Sequence, residues 1–291
     1  SLVVSRGERM TVTSQGLSWD EAIGGPPLPW TSRPWHVSQE AVLHTNAHML
    51  DCLRTGRPAA TSGEDNLKTY ALVEAAYDAA KAGQTLYTGA TGTPELRDAV
   101  AGKFRRENGL DHTADDVVVA NGAKQIIFNA LMATLEDGDE AVLPAPYFVS
   151  YPEMVKLLGG TPVVVECPAT TGFKLTPDLL ERAITPRTKW VFLNTPGNPS
   201  GAVYSGAELQ ALGSVLARHP QVLVLSDEIY EHIIFDRREF VSFGKACPDL
   251  KDRVLIVNGV SKAYAMTGWR VGYAAGPPPL IKAMATIQSQ S

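Results

Sequence analysis

The sequence predicts an α/β fold in which a mostly parallel sheet is flanked by helices on both faces. Three observations carry this. Apolar runs of strand length, rich in Val and Leu, recur from about residue 85 onward. Amphipathic helical patterns separate them. Four of the runs empty into residues able to hydrogen-bond or carry charge. Continuous apolar strands alternating with helices are the pattern of a sheet buried on both faces.

The elements follow in order. VVVA (117–120) passes through Asn121-Gly122 into a helix, KQIIFNALMATL. AVLP (141–144) leads to a helix after Tyr147, and VVVE (163–166) to one opened by Thr176-Pro177. WVFLN (190–194), VLVLS (222–226) and VLIVNG (254–259) are further strands. The first 80 residues have another rhythm: short alternating runs around Val3, Met10 and Val12, then the Gly/Pro/Trp loop GGPPLPWTSRPW at 24–35. Helices are expected over 38–53, capped by Ser38 and stopped by Gly56 and Pro58, and over 61–83. This stretch reads as a small α+β fragment with too little apolar surface for a core of its own.

Composition narrows the function classes. The 291 residues are 44% hydrophobic and 20% charged, which excludes a disordered chain. No apolar run approaches the roughly 18 residues of a membrane helix, and a net charge of −5 gives no electrostatic case for nucleic acid. Cys52, Cys167 and Cys247 are isolated, which excludes a disulfide framework and fits a reducing, cytoplasmic setting. The chain begins without Met and stops within a helical pattern at IQSQS, and is expected to be a piece of something longer.

In such sheets ligands sit outside the carboxyl ends of the strands. There the polar exits NGAK, NTPGNPSG, SDEIY and NGVSKAYAMTGWR collect. Lys262, just past a buried strand and beside Tyr264 and Met266, is expected to be partly desolvated and thus a nucleophile toward an aldehyde. The plainer reading is a solvated surface lysine. Asp227, ending VLVLS, would need a cationic partner or several donors if buried; otherwise it caps a turn. Asn198, between Pro196 and Pro199, is by itself an Asn-Pro turn. Gly122-Ala123 opens a helix directly after a strand and makes a phosphate seat, to which Arg270 adds a bidentate charge. GATG (89–92) is a weaker phosphate loop, since Thr93-Pro94-Glu95 reads as a helix start. Glu40, His44 and His48 share a helical face, but no metal is expected there, and His112, His219 and His232 are isolated. Asp227 and Glu228 are adjacent at a strand end and should point to opposite sides.

SDEIY, NPSG and SKAYAMTGWRVGY, with YTGATGTPELRDAV, APYFVSYPEM, GFKLTPDLLERAITPRTKW and IKAMATIQSQS, resemble the class I aminotransferases of pyridoxal-phosphate fold type I. The branch they resemble is the bacterial aspartate and aspartate/prephenate enzymes, over about residues 80–291. The resemblance implies that Lys262 holds pyridoxal 5'-phosphate as a Schiff base and shuttles the substrate proton. Asp227 would pair with the pyridinium nitrogen, and Tyr230 and Asn198 would bind the ring oxygen. Ser261, Arg270 and the Gly122-Ala123 backbone would hold the phosphate, with Tyr87 reaching the phosphate of a neighbouring subunit in a homodimer. Lys124 would recognise the distal carboxylate of aspartate or glutamate, the amino group passing to a 2-oxo acid. Phe148 stands where the family usually stacks Trp or Tyr on the ring. The resemblance also implies an N-terminal glycine segment and a C-terminal small domain bearing a carboxylate-binding Arg; neither has a counterpart here, so 81–291 is expected to be the large domain alone. A lyase or synthase of the same cofactor, and a chain that binds cofactor without turnover, remain alternative readings.

HMLDCLRTGRPAATSGEDNLKTYALVEAAYDAAKAG resembles the end of the substrate domain in the glucose–fructose oxidoreductase and inositol dehydrogenase family. No GxGxxG occurs, so NAD is not expected. The two resemblances meet near AAYDAAKAGQT, which points to a chimeric join; an unbroken genomic read across residues 60–100 would refute it.

Overall fold

The computed structural model describes residues 2–6, 9–14, 17–22, 54–55, 88–236 and 238–290. The helices expected over 38–53 and 61–83, the Glu40/His44/His48 face, Cys52 and Tyr87 lie outside these residues. The chain divides into two compact units, Ser1–Tyr70 and Ala71–Ser291.

In the first unit, β1 (Leu2–Arg6), β2 (Arg9–Ser14) and β3 (Leu17–Ala22) form an antiparallel sheet in that order. The alternation around Val3, Met10 and Val12 falls on β1 and β2, with Val3 opposite Val12.

In the second unit, α1 (Pro94–Lys103) starts as its sequence dictates. Thr93 caps it through a hydrogen bond from the Leu96 amide, with Pro94 in the first turn. GATG is therefore the turn that precedes a helix. A π-helical turn, Phe104–Asn108, extends α1 and ends at Gly109 with φ 65°. Then come β4 (Val117–Asn121), α2 (Ala123–Met132), β5 (Glu140–Ala145), α3 (Ser150–Leu157), β6 (Thr161–Glu166), α4 (Pro177–Ala183) and β7 (Thr188–Asn194). They are followed by α5 (Gly206–Leu216), β8 (Leu223–Asp227), α6 (Phe243–Ala246), β9 (Val254–Gly259), β10 (Val271–Ala275) and α7 (Pro278–Gln288). Thr176 caps α4, and Ser205 with Glu208 forms a capping box on α5.

The sheet runs β4-β10-β9-β8-β7-β5-β6. Pairings among β9, β8, β7, β5 and β6 are parallel, whereas β10 is antiparallel to both of its neighbours. The sheet is thus mixed, and β10 corrects the sequence reading, in which VGY was only the tail of a motif. Its five residues, VGYAA, are too short and too rich in small side chains to stand out as an apolar run. β6 also differs: as the edge strand it leaves Val164 45% exposed despite its Val-rich sequence.

Alternate residues of each strand feed two cores. Val117, Val119, Val191, Leu193, Val254 and Ile256 pack against α1, α4 and α5. Val118, Ala120, Trp190, Phe192, Leu255 and Val257 pack against α2, α3 and α7. With most of these side chains fully buried, each Val or Leu contributes roughly 1.5–3 kcal/mol. The result is a rigid rim from which the strand ends project. Among the described residues, no helix is long and apolar enough to cross a membrane.

Candidate active site

A cavity of about 280 Å³ opens at the carboxyl ends of β7, β8 and β9 and the start of α2. Its floor is Asp227, the last residue of β8, 6% exposed. The Asp227 Oδ2 accepts a 2.6 Å hydrogen bond from the Tyr151 hydroxyl, and Oδ1 accepts from the Ile229 amide at 3.3 Å. Burial pushes the Asp227 carboxyl above its ordinary range, against the Tyr151 and Ile229 hydrogen bonds and the charge of Lys262. Tyr151 is raised well above an ordinary phenol, by burial first and by the Asp227 charge second, so it acts as a donor.

Lys262 stands on the turn that follows β9, with its Nζ 5.8 Å from the centre of the Tyr230 ring. The residue is exposed, which corrects the expectation of desolvation. Tyr264 and Met266 turn away into the core and cannot screen the amine. Asn198 donates from Nδ2 to the Tyr230 hydroxyl at 3.4 Å, and its backbone N–H donates to Asn194 Oδ1 at 2.7 Å. Asn194 in turn donates to the Asp227 carbonyl at 2.9 Å, which ties the Asn198 loop to the end of β8. Burial and the nearby Asp227 raise the Tyr230 phenol, partly offset by Asn198.

Ala123, which begins α2, lines the same cavity together with Ser261 and Arg270. Gly122 does not line the cavity. Its backbone, at φ 91° and ψ 157°, passes so close to Arg270 that a Cβ there would lie 2.3 Å from a guanidinium nitrogen. Phe148 forms one wall, edge-on to Tyr151 at 5.5 Å, and Lys124 lies over its ring at 5.3 Å.

Nine of the residues singled out in the sequence therefore share one cavity: Lys262, Asp227, Tyr230, Asn198, Ala123, Phe148, Ser261, Arg270 and Lys124. Gly122 adjoins it through Arg270. Sequence reasoning missed Tyr151, Asn194 and Thr267. Asn194 carried a usable signal, a polar residue ending an apolar strand. Tyr151 carried none, because it looks like any aromatic on the inner face of a helix. Asp227 and Glu228 do point to opposite sides: Glu228 Oε1 accepts from Ser226, Ser242 and the Phe243 amide in the body of the unit.

The donor set fits a phosphorylated, cationic heterocycle with an aldehyde. A buried acid, an amine and a phenol line the cavity. The start of a helix, a hydroxyl and a guanidinium line it too, and Gly122 lets the backbone pass close to that guanidinium.

Residues 56–291 match the family model of aminotransferase class I and II, and the chain belongs to that family. It is 59% identical over 227 residues to an aspartate/prephenate aminotransferase of Cereibacter sphaeroides, covering 78% of this chain and 56% of that protein. An aspartate aminotransferase of Rhizobium meliloti is 51% identical over 263 residues, covering 89% and 64%. The crystal structure of the aspartate aminotransferase from Rhizobium meliloti superposes with a TM-score of 0.74 at 50% identity, over 86% of this chain and 63% of that one. The Thermus thermophilus aspartate aminotransferase with maleate gives a TM-score of 0.72 at 42% identity, over 91% and 69%. The chain thus spans from just over half to just under two thirds of the length of these curated relatives. The family match takes in residues 56–80, and the comparisons lend no support to the oxidoreductase resemblance of residues 1–80.

Proposed function

We propose that this chain carries the pyridoxal 5'-phosphate site of an aspartate aminotransferase, of the branch that includes aspartate/prephenate enzymes, and that residues 81–291 are its large domain. The observation that carries the reading is that an amine, Lys262, and a buried acid, Asp227, face one small cavity. When bound, pyridoxal phosphate supplies an aldehyde for amine exchange and a ring that accepts electron density. Lys262 is the residue to hold it and, once freed, to carry the proton at its Nζ. Asp227 is the partner for the ring nitrogen, and Tyr151, by donating to Asp227, keeps that carboxylate oriented. Tyr230 and Asn198 present a hydroxyl and an amide to the ring oxygen. Ser261, Arg270 and the Gly122-Ala123 backbone would hold the phosphate, and Phe148 would supply an apolar wall.

The substrates under this reading are an acidic amino acid and a 2-oxo acid, with Lys124 binding the distal carboxylate. Support for the acidic class comes from the aspartate aminotransferase relatives, one of them with maleate, a dicarboxylate. A homodimer, with Tyr87 reaching the neighbouring phosphate, and a cytoplasmic location complete the proposal.

The test is spectroscopic. Pyridoxal phosphate added to the purified chain should give a protein-bound visible absorbance that Lys262→Ala abolishes. Aspartate and 2-oxoglutarate in a coupled assay then distinguish a working transferase from a cofactor binder. Absence of the band in the parent chain would refute the reading.

A further inference from the structure

Behind the cavity wall lies a group of buried polar side chains that none of the roles above uses. Lys103, at the end of α1, is 2% exposed and Glu231 is 5% exposed. The two form an ion pair. Lys103 also donates to Asn108 Oδ1 at 2.7 Å, and Asn108 donates from Nδ2 to Glu231 Oε2. Asn258 donates from Nδ2 to Glu231 Oε1 at 2.8 Å and accepts at Oδ1 from the Gly259 amide, also at 2.8 Å. His232 stands on the outer side, its Nε2 3.3 Å from both Glu231 and Glu107. Although Glu107, Glu231 and His232 approach as metal ligands would, the ammonium of Lys103 already sits against both carboxylates.

Three stretches far apart in sequence meet at the Glu231 carboxylate. They are the π-helical turn after α1, the chain after β8, and the end of β9. The second carries Tyr230, one residue before Glu231. The third continues from Asn258 to Ser261 and Lys262. None of Lys103, Asn108, Glu231 and Asn258 lines the cavity.

Burying an ion pair costs desolvation that its attraction barely repays, and an apolar pair of similar size often holds a fold as well. What apolar contacts lack is direction. Hydrogen bonds from two other segments onto the carboxylate of a third hold two strand exits in a fixed relation, which packing alone leaves free to slide. We propose that Lys103, Asn108, Glu231 and Asn258 are positioning residues that set Tyr230 and Lys262 in register with one another from outside the cavity. This rests on the roles assigned above to Lys262 and Tyr230.

The experiment compares the parent chain with Glu231→Gln and with the apolar double variant Lys103→Met/Glu231→Met, which removes both charges at once. The first readout is amide hydrogen exchange of the unliganded chain. Peptides spanning 228–233 and 258–265 should exchange about tenfold faster in both variants, a coupling of roughly 1.4 kcal/mol. Peptides of β5 and β6 should be unchanged. The second is the pH midpoint of the absorbance formed with added pyridoxal phosphate, which should move in both variants even where the double variant keeps the parent melting temperature. A double variant with parental melting temperature, parental exchange at 258–265 and, where the band forms, a parental midpoint would overturn the proposal. If the parent chain shows no Lys262-dependent absorbance, the assignment of the cofactor site fails. The exchange data then decide by themselves whether the carboxylate holds the two exits.

Discussion

The hydroxyl of Tyr151 donates a 2.6 Å hydrogen bond to Asp227, joining the first turn of α3 to the end of β8 beneath the cavity. The Tyr151 ring is wedged between Phe148 and Phe192, at 5.5 and 5.1 Å, so the donor has little freedom to turn away. Tyr151→Phe keeps that packing and removes one donor from a buried carboxylate. Hydrogen bonds to charged groups are worth about 1.5–3 kcal/mol, and a loss of that order is expected in urea unfolding at pH 7. The sign with pH follows from the Asp227 carboxyl being raised in the folded chain. Its ionisation costs stability as pH rises from the ordinary carboxylate range, and losing the Tyr151 donor raises the carboxyl further. The deficit of the variant should therefore grow as pH rises above the ordinary carboxylate range, through the interval in which Asp227 ionises in the parent and stays protonated in the variant; a deficit independent of pH would show that the hydrogen bond does not serve the ionised form.

Gly122 and Gly272 predict unequal costs for the same change. A Cβ on Gly122 meets the end of the Arg270 side chain, which can swing aside, so Gly122→Ala costs mainly the strain of φ 91°, about 1–3 kcal/mol. A Cβ on Gly272 would lie 2.1 Å from the Ala123 amide nitrogen and 2.3 Å from the Gly122 carbonyl carbon, backbone atoms that cannot yield. Gly272→Ala should lower the melting temperature more than Gly122→Ala. Gly122→Ala should instead show its larger effect on phosphate-dependent cofactor affinity, since it displaces Arg270.

These pairs mark what the sequence makes legible. β4, β5, β7, β8 and β9 are buried on both faces, so their apolar runs announce them, and the polar residues at their ends, Asp227 and Asn198 among them, announce the rim. β10 is hidden by its glycine and alanines; Gly272 admits the backbone at the start of α2, a requirement of packing that leaves no hydrophobic signature. The exposure of Lys262 was hidden for a related reason. A turn reverses direction within a few residues, so Tyr264 and Met266 are neighbours in sequence and not in space. The partners of Asp227 and Glu231 come from 76 and 128 residues away, a distance that no local pattern spans.

Lys124 lines the cavity, with its Nζ 5.3 Å from the centre of the Phe148 ring. If it binds a distal carboxylate, Lys124→Met should weaken a dicarboxylate such as maleate by about tenfold or more, the equivalent of one charge-assisted contact. Binding of a monocarboxylic analogue of similar size should change little. Calorimetric titration of both ligands into the cofactor-loaded chain measures the ratio, and an equal loss for the two would remove Lys124 from substrate recognition.

Glu228 gives a prediction that depends on the fold alone. It is fully buried, with Oε1 accepting from Ser226 at 2.8 Å and from Ser242 and the Phe243 amide at 3.0 Å each. Its Oε2 is buried with no hydrogen-bond partner. Three donors on Oε1 favour the carboxylate, but full burial with Oε2 left bare favours the neutral acid more strongly. Burial, followed by repulsion from Glu231, pushes the group up to about 8, against the Phe243, Ser226 and Ser242 hydrogen bonds. In the unfolded chain the group ionises near its ordinary value of 4.5. Below that pH both states hold the proton and the group adds no pH dependence. As pH rises toward 8 the unfolded state releases the proton while the folded state keeps it, and stability falls by up to about 1.4 kcal/mol per pH unit. Glu228→Gln keeps the acceptor and cannot ionise, so it removes this slope. The variant should match or fall below the parent in stability at pH 4.5 and exceed it at pH 8, as read by chemical denaturation across that range. A difference that stays constant from pH 4.5 to 8 would mean that Glu228 is ionised in the folded chain, and that its bare oxygen is satisfied by something other than a proton.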